Sequence, residues 1–151
     1  MVDKLVLPAP SGQFVGPSHL FGLRIYYEDT DLSGVVYHAN YLRYMERARS
    51  DMLRLAGIDQ RTAQEGGEGA WAVTDLKIRY QAPARLDDIL TVESRVVAVR
   101  GASVDIVQTI RRDDVVLTEG AITTAFVAPN GRARRQPAHW VTIFKSMIAK
   151  T

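Results

Sequence analysis

Cysteine is absent from the 151 residues, which excludes disulfides, thiolate metal sites and cysteine nucleophiles together. Histidine is scarce. His19, His38 and His139 stand far apart and show no HExxH or other metal-ligand spacing, so neither a metal nor a cofactor is expected. No apolar run approaches the ~18 residues of a membrane span. Met1 to Pro10 has no basic opening, no long apolar stretch and no A-x-A cleavage site, which makes a poor signal peptide. Charge of one sign is lacking too: nineteen Lys+Arg against seventeen Asp+Glu leave +2. That is too little for a footprint on bulk nucleic acid, though a local basic patch for a phosphorylated ligand fits it. What is there is ordinary for one globular domain, with 46% hydrophobic residues and a length able to bury roughly two-thirds of its unfolded surface. A reducing, cytoplasmic setting is the expectation.

Residues 1–20 carry Pro8, Pro10, Pro17, Gly12 and Gly16 among small polar residues and read as a flexible leader. Phe21 to Glu28 alternates and reads as a first strand. From about Ala39 to Ala56, Tyr41, Met45, Ala48, Met52 and Leu55 recur at helical spacing. Arg43, Glu46, Arg47, Ser50, Asp51 and Arg54 fall on the opposite, solvated face, and Gly57 is a natural stop. After a Gly-rich turn, four strand patterns follow at Ala70–Tyr80, Ile89–Arg100, Ser103–Arg112 and Val115–Phe126, with Gly120 suggesting a bulge or kink. A basic loop, NGRARRQP, leads to a short helix at about Ala138–Ala149. Strands segregated from one long helix predict an α+β layer: a five-stranded antiparallel sheet wrapped around that helix, the hot-dog arrangement. The domain is expected over 21–127, with 128–151 a basic loop and C-terminal helix.

The chemistry concentrates between Tyr26 and Tyr41, YYEDTDLSGVVYHANY. Three acids, Glu28, Asp29 and Asp31, lie between a strand and a helix start. There they can serve as turn and cap residues, stabilised by free N–H groups and the macrodipole. The same geometry can aim one carboxylate at a bound electrophile while backbone N–H groups polarise its carbonyl. Gly34 would let the backbone approach a ligand. Both uses fit one rigid strand–loop–helix unit.

The segment resembles the signature of the 4-hydroxybenzoyl-CoA thioesterase branch of hot-dog proteins, D-x-D-x-x-G-x-V-x-(Y/H)-x-x-Y. Within that branch its D-T-D-x-x-G-V-V-Y-H is most similar to the Tol-Pal-associated acyl-CoA thioesterases. The resemblance spans about 107 of the 151 residues, from Phe21 to Val127. It implies hydrolysis of an acyl thioester, carried on CoA or on acyl carrier protein, to free acid and thiol. It makes Asp31 the catalytic carboxylate, as nucleophile or as general base, and places a backbone oxyanion donor at His38. The His38 ring would orient water or substrate. Asp29 is expected to fix the loop. Gly34, Val35, Val36 and Tyr37 would line the acyl passage, and Tyr41 would join them from a helical stripe that also serves as core.

CoA carries three phosphate groups, so Lys or Arg is expected near the mouth of the site. Arg100, before the turn Gly101-Ala102-Ser103, resembles the family's nucleotide-holding turn, although that turn is more heavily basic. Arg134 and Arg135, with Arg132, form the densest basic run; a solvated loop and an anchor for anionic lipid head groups are its other uses. His19 and His139 are expected at the surface, and Trp71 is expected to pack under the sheet. The family pairs its sheets edge to edge, so a homodimer or homotetramer is expected. Two other readings stand beside this one. A hot-dog dehydratase or hydratase would use a D-x4-H motif, whereas six residues separate Asp31 from His38. A non-catalytic acyl-CoA-binding protein would have no use for Asp31.

Overall fold

A computed structural model describes residues 5–149. The chain runs β1 (Gln13–Val15), β2 (Ser18–Arg24), α1 (Asn40–Leu55), α2 (Gln60–Glu65), β3 (Ala70–Tyr80), β4 (Ile89–Val99), β5 (Ser103–Arg112), β6 (Val115–Val127) and α3 (Ala138–Ala149). A single 3-10 turn at Tyr27–Asp29 follows β2. The antiparallel sheet has six strands, ordered β1-β2-β4-β5-β6-β3, rather than the five expected.

The extra strand lies in the supposed leader. Gly16 and Pro17 form a two-residue hairpin loop that pairs Val15 with Ser18, and Gly16 sits at φ 58°, a conformation glycine adopts freely. The ordered sheet therefore begins at Gln13, and the first long strand is Ser18–Arg24 instead of 21–28. Local composition there reads as loose. What holds it is a partner distant in sequence, Asp51 of α1. Its Oδ2 lies 2.7 Å from His19 Nε2 and accepts from the Gly12 N–H at 2.8 Å, and its Oδ1 accepts from Ser11 Oγ at 3.0 Å. His19 and Asp51 are both buried, against the surface positions expected for them.

α1 lies in the curl of the sheet, burying Tyr41, Tyr44, Met45, Ala48, Met52 and Leu53. Gly120 is no bulge: it pairs regularly with Ile78 and Gln108, and the register shifts fall elsewhere. Its missing side chain admits Met45, whose Cε would lie 3.0 Å from a Cβ built there. Next to it, buried Gln108 donates through Nε2 to the Met45 carbonyl and to Ser94 Oγ, both at 2.9 Å. Its Oε1 accepts from Arg49 at 2.9 Å. Every polar atom of that amide thus has a partner, which a buried group requires.

Two apolar clusters flank this contact. One gathers Ile25, Val36, Tyr41, Leu90, Val92 and Ile110 beneath the start of α1. The other is closed by α3, whose Trp140, Phe144 and Met147 pack on Val96, Val104, Ile106 and Phe126. Trp71 joins that cluster, 5.3 Å from Phe126 and 6.0 Å from Trp140. No helix of the described residues is long and apolar enough to cross a membrane.

Replacing Asp51 by Ala should cost roughly 2–4 kcal/mol, because His19, Ser11 and the Gly12 N–H lose a buried acceptor at once. Burial acts to raise the pKa of Asp51, yet the bonds from Gly12, His19 and Ser11 outweigh it and the net shift is downward. The stability this carboxylate supplies is therefore complete above its ordinary pKa near 3.8, and it is lost as pH falls through the lower folded value. Denaturant midpoints of wild type and Asp51→Ala across pH 2–7 check this. The gap between them should close only at the acid end.

Candidate active site

The chain leaving β2 is tied down before it reaches the helix. Ile25 N–H donates to the Asp88 carbonyl at 2.9 Å, and Asp87 N–H returns a bond to Ile25 at 3.0 Å. Asp29 then staples the loop: Oδ2 accepts from the Tyr26 N–H at 2.7 Å, and its carbonyl accepts from the Tyr37 N–H at 3.0 Å and Asn40 Nδ2 at 2.9 Å. This is the loop-fixing role expected of it. Val36 N–H reaches the Ala84 carbonyl at 2.9 Å, which fixes the far limb.

Between these anchors Asp31 to Val35 fold into a tight turn. Asp31 N–H donates to the Val35 carbonyl at 2.9 Å and Gly34 N–H to the Asp31 carbonyl at 3.0 Å, with Gly34 at φ 82°. Asp31 Oδ1 accepts from Ser33 N–H at 2.8 Å and Ser33 Oγ at 2.5 Å. Among the described residues Oδ2 accepts nothing, and the side chain is exposed. The Ser33 hydroxyl first, then the Ser33 N–H, hold the carboxyl below its usual range. Asp31 is thus an ionised carboxylate with one oxygen occupied and one free.

The start of α1 supplies the complementary charge. Asn40 N–H bonds the Tyr37 carbonyl at 2.9 Å, but the N–H groups of His38 and Ala39 meet no acceptor among the described residues. They sit where the helix dipole adds positive potential. Tyr80, at the end of β3, donates its hydroxyl to the His38 carbonyl at 2.7 Å and lies edge-on to its ring. Tyr80 was not among the expected site residues. Its signal was the apolar row of β3, which it ends just before Pro83.

Two neighbouring depressions result. One, of about 620 Å³, is lined by Tyr27, Thr30, Asp31, Leu32, Gly34 and Leu86. The other, of about 310 Å³, is lined by Val36, His38, Tyr41, Tyr80, Ala82 and Pro83. Asp31 and Gly34 therefore share one wall, and Val36, His38 and Tyr41 the next. Val35 pairs with Arg85 between them, and half-exposed Tyr37 leans on the His38 ring at 4.5 Å. Tyr41 presents ring surface only, since its hydroxyl accepts from the Ala84 N–H at 3.0 Å. Among the described residues no cluster of His, Asp and Glu could hold a metal ion.

The three arginines lie toward one end of the sheet and do not reach this site. Arg100 is paired with Asp105 at 2.6 Å, Arg134 clamps the carbonyls of Gly67 and Glu68 at 3.2 and 2.7 Å, and Arg135 lies over Gly101. All three gather where β4 ends. Asp31 lies beyond its other end, about 33 Å away along eleven residues of strand.

Replacing Ser33 by Ala removes the larger of the influences holding Asp31 ionised, so its pKa should rise. The acidic limb of any activity that needs the carboxylate should then move to higher pH, and Ser33→Thr should restore it. A pH–rate profile on the three proteins reads this directly.

Comparison with known proteins gives the family of this chain. The thioesterase superfamily profile matches residues 33–119. The Acyl-CoA thioesterase YbgC of Haemophilus influenzae is 43% identical over 107 residues, covering 71% of this chain and 79% of that protein. The Acyl-CoA thioester hydrolase YbgC of Escherichia coli O157:H7 is 38% identical over 125 residues, covering 82% and 92%. Among solved structures, a probable thioesterase from Bartonella henselae superposes with a TM-score of 0.76 at 36% identity, covering 80% of this chain and 99% of that one. A 4-hydroxybenzoyl-CoA thioesterase in complex with 4-hydroxybenzoyl-CoA shares the fold, with a TM-score of 0.76 at 22% identity. With its six-stranded sheet closed around α1 and its signature loop at the start of that helix, the chain belongs to the thioesterase superfamily of hot-dog proteins.

Proposed function

We propose that this protein hydrolyses acyl-CoA thioesters, with Asp31 as its catalytic carboxylate. The observation that carries the reading is one loop holding an ionised carboxylate with a free oxygen and, seven residues on at His38, a helix start with free N–H donors. The acyl-CoA thioesterases among its relatives support the substrate class.

The thioester carbonyl oxygen would receive the His38 N–H, which gains strength as the oxygen becomes negative in the tetrahedral intermediate. Asp31 then attacks the carbonyl carbon itself, giving a mixed anhydride that water opens, or takes the proton of a water that attacks. CoA leaves as the thiol and the acyl group as the free acid. Both routes require the carboxylate ionised, which Ser33 secures. Tyr80 positions the donor by holding the His38 carbonyl, and the His38 ring borders the apolar depression for the acyl group.

A second copy of the chain completes the proposal. β3 is an edge strand of eleven residues, unpaired on one side among the described residues. Edges of that length and exposure are templates for another strand. The start of β3 lies at the arginine end, since Ala70 pairs with Val127 and Phe126 N–H bonds the Ala102 carbonyl; Tyr80 lies at the Asp31 end. Antiparallel pairing of β3 about a two-fold axis carries the arginines of one copy toward Asp31 of the other. Arg135, which unlike Arg100 and Arg134 meets no acceptor among the described residues, is then the best placed of the three for a CoA phosphate, whereas Arg134 is engaged in holding the 67–68 carbonyls.

Asp31→Asn should lower kcat by about 10²–10⁴-fold, or further if Asp31 is the nucleophile, with the melting temperature nearly unchanged. Thiol release from acyl-CoA substrates of graded chain length is the assay. His38→Ala, which keeps the backbone donor, should lose only part of the rate.

Light scattering should give a multiple of the 16.8 kDa chain mass. Arg135→Ala should raise KM for acyl-CoA more than for an acyl-pantetheine. Arg134→Ala should lower the melting temperature instead.

A further inference from the structure

The loop between β3 and β4 is a wall of both depressions beside Asp31 and His38. Leu86 lines the first with Asp31, and Ala82 and Pro83 line the second with His38. The loop that carries Asp31 leans on the same residues. Val36 N–H is held by the Ala84 carbonyl at 2.9 Å, Val35 bridges to Arg85, and the Ala84 N–H goes to the Tyr41 hydroxyl at 3.0 Å.

This wall is poorly able to hold itself. Pro83 has no N–H to give, and Asp87 sits at φ 69°, a conformation costly for a residue other than glycine. The bonds internal to its tip are those between Arg85 and Asp88: the Arg85 N–H reaches Asp88 Oδ2 at 2.8 Å, and the Asp88 N–H reaches the Arg85 carbonyl at 3.1 Å. Its two limbs are joined from outside, by Arg112 at the end of β5. Arg112 Nη1 donates to Asp88 Oδ2 at 2.9 Å and to the Pro83 carbonyl at 3.1 Å, so one nitrogen spans the loop. Arg112 itself lines neither depression.

We infer that Arg112, paired with Asp88, is a positioning residue for the hydrolysis proposed above. It fixes the 83–88 loop and, through the Ala84–Val36 bond, the separation of Asp31 from the His38 N–H. Misplacing a reacting group by about 1 Å can cost roughly 10²-fold in rate. Arg112 touches no substrate, so its loss should fall on kcat and spare KM. The neighbouring Arg111 supplies the control. It pairs with Glu93 at 2.5 Å, and the two side chains are about as exposed as Arg112 and Asp88, but Glu93 lies within β4 and holds no wall of the site.

Thiol release from acyl-CoA, corrected for the folded fraction of each variant, tests the assignment. Arg112→Ala should lower kcat about 10–100-fold with KM changed less than about threefold. Arg111→Ala should lower the melting temperature by a similar amount and leave kcat within about twofold. Asp88→Ala should resemble Arg112→Ala, and the double variant should lose no more than the worse single one, because both act through one loop. Amide hydrogen exchange needs no substrate: the Val36 N–H should exchange at least about tenfold faster in Arg112→Ala and not in Arg111→Ala. A wild-type chain that released no thiol would sink the hydrolase reading, while exchange would still report whether Arg112 holds the loop. Unchanged kcat in Arg112→Ala, an equal loss in Arg111→Ala, a change in KM alone, additive losses in the double variant, or unchanged Val36 exchange would each overturn the inference.

Discussion

The architecture hangs on how closely α1 approaches the sheet. Gly120 leaves a gap one side chain deep, Met45 fills it, and Gln108 locks the helix backbone to β5 just beside the contact. A side chain at 120 would press on this contact, since Met45 Sδ and the Ile122 side chain already stand 3.1 and 3.2 Å from where its Cβ would be and would have to give way. Two turns toward its start, the same helix presents the free N–H groups of the candidate site. The height of the free His38 and Ala39 N–H groups above the sheet, and the reach of the His38 carbonyl to the Tyr80 hydroxyl, therefore follow from a packing contact in the middle of the core.

The loop before α1 divides labour between two aspartates of the same chemistry. Asp29 spends a side-chain oxygen and its carbonyl on the chain around it. Asp31 bonds only its own turn, through one oxygen, and keeps the other toward solvent. The difference arises from backbone geometry: the 3-10 turn aims Asp29 back at Tyr26, whereas the turn closed by Gly34 points Asp31 away from the body of the protein. A spacing of one residue between the acids places them on opposite sides of that boundary.

Much of this was legible because the signals were local. β3 and β5 carry their own alternation and turn residues, and their observed bounds, Ala70–Tyr80 and Ser103–Arg112, are those read from the sequence. The helical stripe of α1 predicted its span to within a residue or so at each end. What escaped reading depends on partners far along the chain. β1 and the start of β2 look like a leader until Asp51 is placed beside His19, and Asp51 itself looks solvated because its neighbours on the helix are. The six-residue α2 was hidden in a polar stretch, although Asp59 caps it through the Thr62 N–H at 3.0 Å. The site divides the same way. Asp31, Gly34 and His38 share one motif, while Tyr80 and Leu86 reach it only through the fold. Whether the arginines serve it turns on a second copy, which no spacing within one chain encodes.

The strand order also sets a timetable. β2 and its hairpin partner β1 join the main sheet only through β4, with Leu20 opposite Glu93 and Ser18 Oγ bonded to Glu93, 75 residues further on. During synthesis β2 and α1 emerge well before β4, so the apolar face of α1 and the β4-facing edge of β2 are uncovered for that interval. β4, β5 and β6 can form by short hairpins alone, and the early segments then close onto a finished surface. The contacts of the N-terminal arm with Asp51 span only 32 to 40 residues, so they are open to the chain before β4 exists and can hold β1 and β2 to α1 while the rest is made.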